Sequence, residues 1–377
     1  MLGVAVGWEL YTLTGSALDL GLVGLAQFVP MVVLTLVVGQ VADRSDRRLI
    51  AVLCEAVKAG VAATLALGAI GGWQSKASIL GLVALLGAAQ AFQNPAMTAL
   101  VPDVVPRPLI ARAMAWVISA GQTAQIVGPA LGGFLYLVGP GSTYFTAAGL
   151  FAAAGLLAAL IRAARATRAR EPLTLETVFS GVAFIRGRRV LLASMSLDLF
   201  AVLLGGATAL LPVYARDILG GGPGGLGLLR AAPAVGALAT SVLLAQRPLG
   251  WGIGRTLFRS VLAFGAATVV FGVSRSFALS LVALTVLGAA DVVSMVIRSS
   301  LVQIRTPPEM RGRVSAVHSL FTGTSNQLGA FESGVVAALL GTVPSVLVGG
   351  LGTIAVAVLW MLLFPELRRL RGFEEDA

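Results

Sequence analysis

Long apolar stretches follow one another along almost the whole chain, and they limit what it can fold into. A helix needs about 20 apolar residues to cross a bilayer, and 57% of the 377 residues are hydrophobic, more than a soluble core can bury. With a shorter apolar piece at the start, the sequence predicts twelve membrane-spanning helices. The eleven long stretches cover residues 20–41, 49–70, 77–100, 111–138, 142–161, 190–214, 225–246, 255–273, 277–300, 314–340 and 343–364.

The residues inside these stretches favour helices over a membrane β-barrel. They are rich in Gly and Ala and include prolines, without the period-two alternation of barrel strands. The fold class predicted is therefore an all-α integral membrane bundle. A single cysteine, Cys54, and a single histidine, His318, provide neither a disulfide framework nor a metal cluster. We therefore predict no metal site and no cofactor.

The basic residues indicate an orientation. The net charge is +10, but the charges collect in alternate loops rather than on one soluble face, so we expect no nucleic-acid partner. Arginines crowd the loops on one side, whereas the other side receives Lys76, Arg216 and Arg275. The positive-inside rule then makes the arginine-rich side, with both ends of the full-length protein, cytoplasmic.

The sequence contains an internal repeat that covers its two halves. At an offset of 201 residues, "LVPDVVPRPLIARAMAW" (100–116) lies over "LVQIRTPPEMRGRVSAV" (301–317), and further along Gly128 meets Gly329 and Gly133 meets Gly334. We expect two six-helix bundles related by a pseudo-two-fold axis, an arrangement typical of alternating access. The predicted boundaries are 1–161 for the first half, 162–189 for a basic cytoplasmic linker, 190–364 for the second half and 365–377 for a cytoplasmic tail.

The first helix is predicted to be truncated. From Met1 to about Thr12 it would span roughly 18 Å, against a hydrocarbon thickness of about 30 Å. We expect the natural protein to begin upstream with a basic cytoplasmic tail, or the chain to be a fragment.

The stretch "GQVADRSDRR" concentrates charge between two apolar spans. It resembles the loop signature between helices 2 and 3 of the major facilitator superfamily, with Gly39, Asp43, Arg44, Arg47 and Arg48 in place. The resemblance implies a latch that closes the cytoplasmic side, whereas topology alone would make it an ordinary basic loop. Further phrases, among them "LGAFESGVVAALLG" and "FQNPAMTALVP", are similar to a siderophore-exporting branch of that superfamily.

In the fifth predicted helix, "IVGPALGGF" contains Gly128, Pro129, Gly132 and Gly133. This pattern resembles the signature of exporting antiporters in the superfamily, and it therefore implies export. The alternative is plain close packing of helices at small residues.

Ionisable residues inside hydrocarbon are functional candidates because they are expensive to bury. Asp198 and Glu332 have no obvious local partner, so they are the candidates for proton coupling, with Asp198 first. Asp291 and Arg298 share a helix face and either pair or line a cavity, whereas Glu55 and Lys58 are expected to pair for structural reasons. The cavity and substrate candidates are Gln27, Gln122, Gln125, Asp291, Arg298 and Asn326.

The function predicted is secondary active export. No catalytic constellation or Walker sequence is present, so we expect a transporter and not an enzyme, driven by an ion gradient. The resemblance implies proton antiport of a siderophore such as enterobactin across the bacterial inner membrane. The alternatives are efflux of a macrolide-like drug and a non-transporting scaffold or sensor. The expected partners are a small-molecule substrate, protons and the lipid bilayer, and the expected state is a monomer.

Overall fold

The structure, a computed structural model, describes residues 1–44, 46–106, 109–161, 175–246 and 252–373. Within these ranges the chain is helical and forms no strand, which confirms the all-α prediction. The first half contains α1 (Leu2–Thr14), α2 (Ala17–Arg44), α3 (Arg47–Gly71), α4 (Lys76–Val104), α5 (Ile110–Val138) and α6 (Pro140–Leu160). The second contains α7 (Arg189–Leu204), α8 (Gly222–Gln246), α9 (Ile253–Val273), α10 (Phe277–Arg305), α11 (Pro308–Leu340) and α12 (Thr342–Leu363).

Two shorter helices accompany them. A linker helix, Leu175–Arg186, lies in the segment predicted as a basic linker, and a tail helix, Pro365–Arg369, follows α12. Within the described ranges, nine helices are long and apolar enough to cross a membrane. Of the remaining three, α1 has only 13 residues, while α5 and α11 have 29 and 33 and follow their predicted spans.

The seventh predicted span is not one uniform α-helix. After Leu204 the chain continues through a 3₁₀ segment, Gly206–Leu210, a short α turn, Leu211–Val213, and a π turn, Tyr214–Ile218. Pro212 contributes to this change because it has no N–H to donate within the helix. Gly206 contributes because its backbone lies against the carbonyl of Gly329 in α11.

The chain divides into two compact units. Unit 1 contains Met1–Gly15, Leu22–Thr174 and Gly222–Gly227, and unit 2 contains Ser16–Gly21, Leu175–Gly221 and Leu228–Ala377. In unit 1, α3 packs on α4 and α6, and α1 packs on α5. In unit 2, α9 packs on α10 and α12, and α7 packs on α11. The same pairings therefore recur in each unit, as the duplicated sequence predicts.

Each unit has its own apolar core. In unit 1 the buried side chains include Leu10 of α1, Leu65 of α3, Ile79 of α4 and Tyr144 of α6. In unit 2 they include Leu197, Leu257, Phe258 and Leu301, from α7, α9 and α10. These cores fix the helices that carry the buried charges of each unit.

Candidate functional site

A narrow cleft in unit 2 brings together three of the charged residues that the sequence places inside spans. Asp198 comes from α7, while Asp291 and Arg298 come from α10. The cleft encloses about 260 Å³ of empty space, including its mouth. Its remaining lining residues are Ala201, Val202, Ser260, Val261, Phe264, Ala290 and Ser294.

Helical periodicity explains how three elements supply this cleft. Asp291, Ser294 and Arg298 are spaced three and four residues apart, so they form one stripe along α10. Ser260 and Phe264 form a similar stripe on α9, and Asp198 shares a face of α7 with Ala201 and Val202. Leu257 and Phe258, one turn earlier on α9, are buried and anchor this helix in the core.

Asp198 and Arg298 form a buried ion pair. Nη1 of Arg298 contacts Oδ1 of Asp198, and each residue is only 4% exposed. Asp198 has no local partner in the sequence, but α10 supplies one from 100 positions away in the chain. Arg298 also does not pair with Asp291, one of the two alternatives predicted for it. Both residues line the cleft of unit 2.

Asp291 lies beside this pair without a cation of its own. It is half-buried, and among the described residues no hydrogen bond or ion pair reaches its carboxylate. Nε of Arg298 is buried without a hydrogen-bond partner in the described chain. The cleft thus holds two carboxylates and one guanidinium, and one carboxylate is unpaired.

The second proton-coupling candidate, Glu332, lies elsewhere in unit 2. It is half-buried on α11, and Oγ of the next residue, Ser333, lies 3.4 Å from its carboxylate. His318, on the same helix, is half-buried and does not line the cleft.

The other predicted cavity residues do not line the cleft. Gln27 lies on α2, and its backbone lies close to Gly87 of α4. On α5, Gln122 is half-buried and Gln125 is exposed. Asn326 is exposed on α11 and donates a 2.8 Å hydrogen bond to the carbonyl of Thr322.

Glu55 and Lys58 pair within α3, as predicted. The Lys58 Nζ to Glu55 Oε1 distance is 3.0 Å, and both residues are 8% exposed. Gln93 of α4 donates to the same carboxylate oxygen, and Lys58 Nζ lies 4.7 Å from the ring centroid of Phe151 in α6. The pair ties α3 to both of its neighbours.

Glu9 of α1 has a tyrosine partner in unit 1. The hydroxyl of Tyr144, which is fully buried on α6, donates a hydrogen bond to the Glu9 carboxylate. This contact joins α1 to α6 inside the apolar core of unit 1.

The loop signature is only partly described. The backbone of Gly39, Asp43 and Arg44 belongs to α2, but their side chains lie outside the described part, as does Ser45. Asp46 caps α3 by accepting a 2.9 Å hydrogen bond from the backbone N–H of Arg48. The Arg48 guanidinium donates to the carbonyl of Ala159 near the end of α6, where a helix concentrates negative charge.

The predicted helix-5 signature lies at tight backbone contacts in unit 1. A Cβ on Gly133 would lie 2.9 Å from Cα of Gly227, and a Cβ on Gly132 would lie 2.6 Å from Cα of Met1. Gly128 has more room, since a Cβ there would lie 3.5 Å from the backbone nitrogen of Met1. α5 continues through Pro129 as one helix. Gly132 and Gly133 therefore lie at positions with no room for a side chain.

Arg230 is not among the residues predicted from the sequence, and it lies eight residues inside α8. Its side chain is half-buried, and no described residue makes a hydrogen bond or ion pair with it. A lone arginine within an otherwise apolar 25-residue helix is a visible signal in the sequence.

Comparison with known proteins gives three results. The sequence profile of a family described as transmembrane secretion effector matches residues 1–376. The chain is 28% identical over 395 residues to the enterobactin exporter EntS of Shigella flexneri, covering 98% of this chain and 89% of that protein. It is also 28% identical to the EntS protein of Citrobacter koseri, over 397 residues and with the same coverage.

Solved transporter structures share the fold. The nucleoside transporter NupG superposes with a TM-score of 0.71 at 16% identity, covering 97% of this chain and 94% of that one. A D-xylose-proton symporter gives 0.69 at 14% identity, covering 98% and 97%. A bacterial homologue of the lysosomal transporter Spinster, inward-facing and occupied, gives 0.69 at 15%, covering 97% and 95%.

Proposed function

Since the chain belongs to the transmembrane secretion effector family of the major facilitator superfamily, we propose that it exports a siderophore such as enterobactin in exchange for protons. The substrate class is supported by the similarity to enterobactin exporters over 98% of the chain. Export is also supported by the glycine pattern of α5. The protein then acts as a secondary transporter in the bacterial inner membrane, with both ends cytoplasmic, as a monomer and without enzymatic activity.

The buried cleft of unit 2 is the observation that carries proton coupling. A cluster of two carboxylates and one guanidinium in a low-dielectric interior binds a proton with a large change in local charge. Its titration belongs to the group as a whole, since interacting sites share their protonation steps. Binding and release of that proton shift the equilibrium between the inward-facing and outward-facing conformations of the transporter.

Within this cluster, Asp291 is the better proton carrier. Arg298 is engaged by Asp198, and an adjacent cation stabilises the ionised form of a carboxylate. Asp291 has no such cation among the described residues. Asp198, the first candidate from sequence, takes the proton only when Arg298 leaves it, and Glu332 is the remaining alternative.

The loop signature is the proposed cytoplasmic latch, formed by Gly39, Asp43, Arg44, Arg47 and Arg48. The Arg48 contact with the end of α6 supports this role because it fixes the start of α3. The Asp46 cap contributes to the same end of α3.

The substrate is tested by measuring metabolite export from a deletion strain in iron-poor medium. The proposal predicts that the deletion reduces siderophore release and that the wild-type gene restores it. Unchanged siderophore release together with increased drug sensitivity would favour the macrolide-like efflux function. No change in either would favour the scaffold function.

A further inference from the structure

α8 carries a single arginine, Arg230, inside its apolar span. Two other basic side chains deep in helices are each neutralised by a carboxylate, Lys58 by Glu55 and Arg298 by Asp198. Arg230 has no counter-charge and no hydrogen-bond partner anywhere in the described chain. A charge held inside hydrocarbon without a partner is costly, and such residues are retained for function.

The helix geometry turns Arg230 away from the exposed side of α8. Leu228 and Val235 mark that side, with 37% and 46% of their surface exposed. At about 100° per residue, Arg230 lies roughly 140–160° around the helix from both of them. The residue is nevertheless only half-buried, so part of its surface stays open to contact with a ligand.

α8 is held rigidly next to this residue. Pro233 lies one turn further on, and its carbonyl lies against the backbone of Gly288 in α10. Gly236, on the next turn, lies against the carbonyl of Thr285 in α10. These two contacts leave no room for a Cβ on either glycine, so the backbone that carries Arg230 has a fixed position against α10.

We propose that Arg230 binds an ionised carboxylate of the exported molecule. A guanidinium offers five N–H donors in a planar fork, which matches the two oxygens of a carboxylate. The missing counter-charge would then be supplied by the substrate. This inference rests on the proposed export of an oxygen-rich aromatic substrate, and it adds the residue that recognises the charge.

A pair of probes that differ in charge tests this assignment. 2,3-Dihydroxybenzoate and 2,3-dihydroxybenzamide have similar shape, but only the first carries a carboxylate. Their dissociation constants are measured by calorimetry with the full chain in lipid nanodiscs, without any ion gradient. We expect the wild-type protein to bind the benzoate at least about tenfold more tightly than the amide, the size of a charge-assisted hydrogen bond.

The variants separate recognition from folding. Arg230→Gln should abolish the preference for the benzoate and leave amide binding within about twofold, while Arg230→Lys retains part of the preference because the charge remains. The matched control is Arg216→Gln, which removes an exposed arginine near the end of the span formed by α7 and its extension. That variant should bind both probes like the wild type.

The stability of Arg230→Gln provides a second, independent readout. Removing an unpaired charge from the hydrocarbon should leave the melting temperature unchanged or raise it, whereas removing a structural arginine lowers it. The assignment is overturned if the wild type does not distinguish the probes. It is also overturned if Arg230→Gln keeps the preference, loses both probes equally, or unfolds at lower temperature. Loss of gradient-driven export in a separate flux assay would overturn the proposed function and not the binding assignment.

Discussion

At the scale of single residues, the Asp198–Arg298 pair sets the character of the cleft. The two opposite charges are each only 4% exposed and stabilise each other. Removing one of them leaves the other buried without a counter-charge, which destabilises the fold. Asp198→Asn or Arg298→Gln alone should each destabilise the protein by about 3–5 kcal/mol. The double variant should recover most of that loss, because neither buried charge then remains.

Chemical unfolding of the purified protein in detergent measures this coupling. Single-variant losses that simply add in the double variant would contradict a direct interaction between the two side chains.

The second residue-scale prediction concerns Glu55 and Lys58. Because this pair joins α3 to Gln93 and Phe151 of neighbouring helices, its role is to hold unit 1 together. The double variant Glu55→Gln, Lys58→Met should lower the melting temperature while leaving the ratio of gradient-driven to downhill transport unchanged. A change in that ratio would contradict a purely structural role and show that the pair takes part in proton coupling.

At the scale of elements, the glycines at helix crossings determine how closely α8 and α10 approach. A Cβ on Gly288 would run into the carbonyl of Pro233, so Gly288→Ala should destabilise unit 2 by about 1–3 kcal/mol. Gly81 of α4 is the matched control, since a Cβ there meets nothing within 4 Å. Gly81→Ala should be neutral or stabilise its helix by about 0.5–1 kcal/mol.

Equal effects of the two substitutions on the denaturation midpoint would show that helix propensity, and not the crossing, controls stability at Gly288.

The sequence predicts the elements well because their signals are local. Spans follow from runs of apolar residues. The repeat at an offset of 201 residues is visible without any structure, and it predicts two similar six-helix halves. The pairing of α3 with α6 in one half and of α9 with α12 in the other agrees with that repeat. The break in α7 after Leu204 was not predicted. Pro212 is a local signal for it, but the contact of Gly206 with Gly329 joins residues 123 positions apart.

The same limit applies to the site. The sequence around Asp198 offers no local partner, and Arg298 reaches it from another helix, a contact that spacing along the chain does not reveal. The pairing of Glu55 with Lys58 was predicted because it lies within one helix turn. Arg230 could be predicted as a candidate from the sequence alone, because a basic residue in the middle of an apolar span is visible without any tertiary contact.

At the scale of the whole molecule, a duplicated helical fold carries one buried cluster of charge in unit 2. The family, the relatives and the shared fold place the chain among secondary transporters. The cleft of unit 2 holds the carboxylates that we propose to couple protons to that transport. Arg230 adds a separate charge for recognition of the substrate. The two functions are therefore assigned to different residues and can be removed one at a time.

The most direct measurement is substrate flux into proteoliposomes under an imposed pH gradient, compared between the wild type and Asp291→Asn. The wild type should accumulate enterobactin against its concentration gradient. Asp291→Asn should lose this accumulation and keep downhill exchange within about twofold, because the cleft keeps its shape but cannot bind the proton. Asp217→Asn, which alters an exposed carboxylate at the end of the same unit's first span, should behave like the wild type. Gradient-driven accumulation by Asp291→Asn at the wild-type rate would contradict the account.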